Sequence, residues 1–327
     1  MKNNKKPLIL VSIIVLMMIG LAAYFIVTKV INKEEKKEEN QVVEKEKITP
    51  LMYEITKEGS ENKIYLIGSI HFANIPKLEF PKYVMDAYNN SPYLACEFNI
   101  NKFLREVNQE ELAKDYYYTY PDSLDKHVSK ETYDKIVKYL SENNKLKEEA
   151  ISVLSLDYID SLLTQIILSK TSLGNTTGVD TYFIDKAEKD GKTVLEVESY
   201  EFQDNLDKSF PDRIKELSII DAIDNMDEGV EDINKLYKYW KEGNVEELEK
   251  LLVEVDESDY TAEDLALMKD YNKKMLDDRN IGMKDKLEEY FNNNYKVFYM
   301  VGAAHLIGDN GIAKLLENDG YTVTIVK

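Results

Sequence analysis

Cysteine is nearly absent from this sequence: the one copy, Cys96, rules out an intramolecular disulfide framework. Its place in the apolar run Tyr93-Leu94-Ala95-Cys96 makes it a small buried hydrophobe. Basic residues are also short, with 42 Lys and Arg against 61 Asp and Glu and a net charge of −19. Phosphate backbones are gripped by a basic face, so no nucleic acid partner is expected. The H-E-x-x-H helix of an ordinary zincin is missing. So is any internal period of roughly 20 to 50 residues, which excludes a solenoid. Histidine occurs three times, and its scarcity makes each position informative.

What is present begins with an apolar run from Pro7 to Thr28, 22 residues behind a leader carrying Lys2, Lys5 and Lys6. That length crosses the ~30 Å hydrocarbon core as an α-helix. A cleaved signal peptide, with Ala22-Ala23 as a loose cleavage context, is the rival, but its apolar region would run only ~7 to 15 residues. The expectation is an uncleaved single-pass anchor over 1–31 that places the main domain extracytoplasmically at the cell membrane. Lysines flank both sides of the run, so the orientation rests on its early position and its acid-free leader. From Asn32 the composition turns to Lys, Glu, Asn and Gln, which cannot bury enough apolar surface to fold alone. Residues 32–48 read as a charged linker and 49–327 as one domain.

Within that domain the ends read as sheet and the middle as helices. Met52 to Ile55 and Lys63 to Ile67 suggest a hairpin, Tyr93 to Glu97 and Thr193 to Val197 two further strands, and Lys296 to Val301, Ile312 to Asn318 and Tyr321 to Val326 a closing strand, helix and strand. In between, Tyr133, Ile136, Val137 and Leu140 share one helical face, the series from Ile151 to Ile167 a second, and Leu248, Leu251, Leu252 and Val255 a third. Trp240 is expected in the core. The fold class is α/β: a mixed central sheet flanked by helices, with a large helical middle segment.

Two of the histidines share a context. Gly68-Ser69-Ile70-His71 follows Ile64-Tyr65-Leu66-Ile67, and Gly302-Ala303-Ala304-His305 follows Val297-Phe298-Tyr299-Met300-Val301, about 230 residues later. Each reads as a buried strand that ends at a glycine and delivers an imidazole past its carboxyl end, where open α/β sheets place ligands. Neutral imidazoles bind Zn, Mn or Co, and a carboxylate commonly completes such a site. Glu97 is the candidate, since it ends an otherwise apolar strand where its charge needs compensation. Glu97 is either a ligand or the general base, because both roles require a carboxylate close to the metal. A divalent metal at His71, Glu97 and His305 would supply a hydroxide for hydrolysis without a Ser or Cys nucleophile. Glu196 and Glu198, two apart, offer a second carboxylate.

These segments resemble the TraB/GumN family, whose branches include the PrgY pheromone-shutdown proteins and the Tiki proteases. The resemblance covers nearly all of Met52 to Lys327. It rests on Tyr65 to His71, on Gly178-Val179-Asp180, and on Val301-Gly302-Ala303-Ala304-His305-Leu306-Ile307-Gly308 with Gly311, Leu315, Leu316, Gly320 and Tyr321. Glu198 of Leu195-Glu196-Val197-Glu198 and the pair Arg279-Asn280 are weaker matches. What the resemblance implies is a fold related to erythromycin-esterase-like and ChaN-like proteins, with the two G-x-x-H elements brought together. In the Tiki branch the histidines and a glutamate, which maps to Glu97, are linked to metal-dependent peptide hydrolysis.

The other matched positions each carry two readings. Thr177 to Asp180 fits either a helix cap, with Thr177 as the capping residue, or a catalytic Asp180. Arg279, with Asn280, either holds a substrate carboxylate or sits in an exposed ion pair. Gly308 to Gly311 is either an anion-binding helix entry or a turn. His127, with no strand before it, is expected at the surface or as a cap. Two functions are consistent with these residues: a membrane-anchored extracytoplasmic metallohydrolase acting on a peptide or, less directly, a small ester, and a non-catalytic regulator that holds a peptide or cofactor in the same cleft.

Overall fold

The computed structural model describes residues 44–174, 176–252 and 260–327. The expected anchor over Pro7 to Thr28, most of the charged linker and Val255 lie outside them. Among the described residues no helix is long and apolar enough to cross a membrane.

Among the described residues eight strands form two sheets. β1 (Glu46–Lys47) pairs in parallel with β4 (Leu78–Glu79), so the end of the charged stretch is hydrogen-bonded to the domain, and the adjacent Ile48 is buried. The six remaining strands are β2 (Met52–Thr56), β3 (Ile64–Ser69), β5 (Tyr93–Cys96), β6 (Thr193–Glu196), β7 (Val297–Gly302) and β8 (Thr322–Ile325). They make one mixed sheet in the order β6-β5-β7-β3-β2-β8. β2 is antiparallel to both β3 and β8, while β3, β5, β6 and β7 run parallel. The expected hairpin is thus β2 and β3, turned through Gly59 at φ +80°.

β7 lies at the centre because its sequence has no polar face to spare. A strand covered on both sides reads as a continuous apolar run, and Val297 through Val301 are each 0% exposed. Burying each such side chain contributes about 1.5–3 kcal/mol. The one hydroxyl in this run, on Tyr299, donates to the Met283 carbonyl at 2.7 Å. Trp240 does the same from the helix Met226–Glu242: fully buried, it donates Nε1–H to the Gly68 carbonyl at 2.9 Å.

Helices cover the sheet, and those of the middle segment add a second small core of Phe210, Ile214, Leu217, Met268, Tyr271 and Met275. The sequence did not announce one backbone irregularity. Lys273–Asp278 forms a π-helical segment between the helices Ala262–Asn272 and Arg279–Asn292. Such wide turns concentrate at functional positions, and this one ends directly at Arg279.

Candidate functional site

Because β3, β5, β6 and β7 are parallel, their carboxyl ends share one edge of the sheet. The register pairs Ser69 with Gly302 and Cys96 with Met300. His71, Glu97, Glu198 and His305 therefore leave from neighbouring strand ends. All the groups at the centre are withdrawn from water: His71 is 8% exposed, Glu97 5%, Arg279 4% and His305 4%.

Close backbone approach is what the glycines supply. A Cβ on Gly68 would stand 3.0 Å from the Ala303 Cα, and one on Gly178 only 2.9 Å from the Cα of His71. The second contact lays the loop before the helix Val179–Lys189 directly on the His71 backbone. That helix has Gly178 at its N-cap and no side-chain cap, so Thr177 does not cap it. Asp180 instead turns to the strand end, where its Oδ2 accepts the Nδ1–H of His71 at 2.9 Å and its Oδ1 accepts the hydroxyl of Ser69.

His305 is held differently. It sits in the turn Ala303–Leu306, and its Nδ1 lies 2.6 Å from the Asn280 Oδ1. Asn280 donates its Nδ2–H to the Asn310 carbonyl at 2.9 Å. That bond fixes the amide, so its oxygen faces His305 and the ring proton belongs on Nδ1. The Nε2 atom is left as a lone pair, 4.0 Å from Glu97 Oε1. Gly308 to Gly311 is accordingly a turn that anchors Asn280, with Gly311 bonded back to Gly308.

Glu97 is bound through both of its carboxylate oxygens. Its Oε1 accepts the Gly302 N–H at 2.8 Å, and its Oε2 accepts from Arg279 Nη2 at 2.7 Å and from Gln203 Nε2 at 3.1 Å. Burial opposes its ionisation, but Arg279, then the two imidazoles, then the Gly302 N–H outweigh that and pull its pKa down to about 2. Arg279 also binds Glu198 through Nε at 3.0 Å and Nη2 at 2.8 Å, and the Met275 carbonyl through Nη1 at 3.2 Å. The guanidinium is buried, so it is not the exposed ion pair that one reading of the sequence expected. Asn280 is likewise engaged with protein groups.

The two imidazoles titrate in opposite directions. Burial disfavours the charged form of both. For His71 the charge and hydrogen bond of Asp180, helped by Glu97, overcome burial and lift its pKa above the ordinary value. For His305 burial is reinforced by Arg279, and its pKa is pushed down to about 3.

The remaining residues sort themselves by contact. Glu196 and Glu198 part company: Glu196 accepts the Asn99 N–H at 3.0 Å and a Lys102 bond at 2.7 Å, away from the centre. His127 stacks on Tyr118 and bonds Asp212 and Asp122, as a surface histidine does. Burial pushes the Cys96 thiol up, so it is no nucleophile. Sequence reasoning missed Gln203, which bridges Glu97 and Glu198 at 3.1 and 2.8 Å, and Ser69. Gln203 stands in the first turns of the helix Tyr200–Lys208, capped by Ser199, and no motif marks it.

The family profile now decides the relationship, matching residues 51–325. The chain belongs to the TraB/PrgY/gumN family. The matched span runs from just before β2 to the last residue of β8, so the whole six-stranded sheet and every residue of the site fall within the family domain. Searches of curated proteins and of solved structures return no match.

The donor chemistry suits a metal of the kind this resemblance implies. Each imidazole has its Nδ1 engaged by a side-chain oxygen, the outer contact that orients metal-binding histidines. Spacing is the weaker part of the fit. Among the described residues no three His, Cys, Asp or Glu groups are drawn together so as to hold an ion. The 4.0 Å between His305 Nε2 and Glu97 Oε1 exceeds the ~3.3 Å that two ligands of a tetrahedral metal would span. A cavity of about 10 Å³ beside His71, lined by Ser69, Ala303 and Ala304 among others, has room for about one water.

Proposed function

We propose that this domain is a metal-dependent hydrolase that cleaves peptides at the His71, Glu97 and His305 site, and that the apolar segment before it holds it at the outer face of a membrane. One observation carries the reading. Both imidazoles spend Nδ1 on the protein, His305 keeps its Nε2 4.0 Å from the ionised Glu97, and the charge of Glu97 acts on His71 as well. A divalent ion held by His71, His305 and Glu97 would polarise a carbonyl and acidify a bound water. His305, locked by Asn280, offers a lone pair without competing for a proton. His71, oriented by Asp180 on its Nδ1, would offer its Nε2 lone pair to the same ion. Arg279, Gln203 and the Gly302 N–H keep Glu97 charged and fixed.

The non-catalytic reading also has an observation in its favour: the cavity at His71 is water-sized and both oxygens of Glu97 are already engaged. The deciding experiment is to measure bound metal on the purified chain and to incubate it with a peptide library with and without chelator. Chelator-sensitive cleavage, lost in folded His71→Ala, Glu97→Ala and His305→Ala, supports hydrolysis. Peptide binding without cleavage at any metal concentration overturns it. Protease shaving of intact cells tests the placement of the domain.

A further inference from the structure

A second cavity lies just beyond the His71 strand end, and it has a different character from the site. It is an open cleft of about 450 Å³ between residues 73–76 and residues 165–174 and 176–177, within the ~300–1,000 Å³ range of ligand clefts. Its polar lining includes Asn74, Gln165, Ser169, Thr171, Ser172 and Thr177, and none of the described lining residues is charged or aromatic. In a chain of net charge −19, a cleft whose described lining is all neutral is unusual.

Two of these groups are used internally: Ser169 and Thr171 donate their hydroxyls to the Ile166 and Leu168 carbonyls at 2.7 Å each. The Asn74, Gln165, Ser172 and Thr177 side chains bond no other described residue. Amides and hydroxyls both donate and accept, which matches the alternating N–H and C=O groups of a peptide main chain. The absence of an aromatic face removes the usual platform for a flat ring, and the absence of charge removes any grip on a charged end.

The cleft is also tied to the site by backbone. Ala73 and Thr177 form an antiparallel bridge, with the Ala73 N–H donating to the Thr177 carbonyl at 3.0 Å. Two residues before Ala73 stands His71, and three after Thr177 stands Asp180, its partner. Two residues of backbone reach at most ~7 Å, so the Ala73 wall of the cleft stands within that reach of the His71 backbone.

We propose that this cleft seats an uncharged stretch of peptide substrate by its main chain and directs it toward His71. Cleavage of the seated peptide rests on the hydrolase reading, whereas its binding does not. The only cysteine, Cys96, is 2% exposed, so Ser172→Cys in the full chain takes a single fluorescent label at the cleft. Pools of neutral, acidic and basic end-blocked decapeptides are then titrated against it. Neutral peptides are expected to give a saturable response that the acidic pool does not. In the unlabelled chain, Gln165→Glu should raise KM for neutral peptides about tenfold, the worth of one lost hydrogen bond, with kcat unchanged. If peptides are cleaved while the label stays silent and Gln165→Glu leaves KM unaltered, the cleft is not the subsite and the hydrolase stands. If neutral peptides saturate the label on both the parent and the His71→Ala background yet are never cleaved, the cleft stands and the hydrolase falls. Equal binding of the acidic pool overturns the assignment of ligand class.

Discussion

His71 and His305 arrive by the same local device, a strand that ends in G-x-x-H, and the fold then treats them as opposites. His71 meets a carboxylate that outweighs burial and lifts it toward protonation, whereas His305 meets only an amide, and burial with Arg279 nearby drives it to about 3. The motif therefore fixes where an imidazole stands, and the residue on its Nδ1 fixes what it can do.

Arg279 is the largest lever on that contrast. Arg279→Met should cost about 3–5 kcal/mol in urea unfolding, since it leaves Glu97 and Glu198 buried without their cation. Arg279→Lys should recover only part, because a point charge cannot replace the fork. An unfolding midpoint unchanged in Arg279→Met would show that the carboxylates find other partners.

Asp180→Asn tests the other half. Removing the charge behind His71 should lower its pKa, followed by NMR of the ring, and reduce metal affinity or turnover roughly 10- to 100-fold. Little change in either would detach Asp180 from the chemistry and leave it a structural contact.

Stability against pH should then show the two signs separately, measured with chelator present. His305 has a folded pKa below its unfolded value near 6.5, so the unfolded chain gains its proton first. Stability falls as pH drops from about 6.5 toward about 3. His71 has a raised folded pKa, so its contribution is complete below about 6.5 and is lost as pH rises through the folded value. His305→Asn should flatten the acid limb and His71→Asn the alkaline one, each by up to ~1.4 kcal/mol per pH unit. Identical profiles for the two variants would erase the asymmetry.

The smallest effect is expected from Ser69→Ala, about 1 kcal/mol for one hydrogen bond. It removes a donor from Asp180 while leaving the His71 contact intact. A kcat that falls as far as in Asp180→Asn would make the hydroxyl more than a support.

The strands and their ends were legible because apolar runs with glycine stops are local signals: the hairpin, β5, β6, β7 and the helix Ile312–Asn318 all stand within a residue or two of their expected places. Glu97 was legible for an energetic reason, as a charge closing an apolar strand. Roles that depend on a partner were not. Arg279 reads as surface in an acidic stretch, and only the π-helical turn before it and the approach of β5 bury it against two glutamates. The bond from Asn280 to His305 could not be read from its neighbours in the sequence. Gln203 carries no pattern at all, since an amide in a polar helix becomes functional only through what packs above it.

The middle strand of the sheet, β7, is threaded between β3 and β5 although some 200 residues separate it from either in the chain. Synthesis therefore delivers His71 and Glu97 long before the element that joins them. Closing so long a loop is entropically slow. Whatever this domain does, it can do only after its last tenth has been made and inserted, which gives the cell a built-in delay before the activity exists.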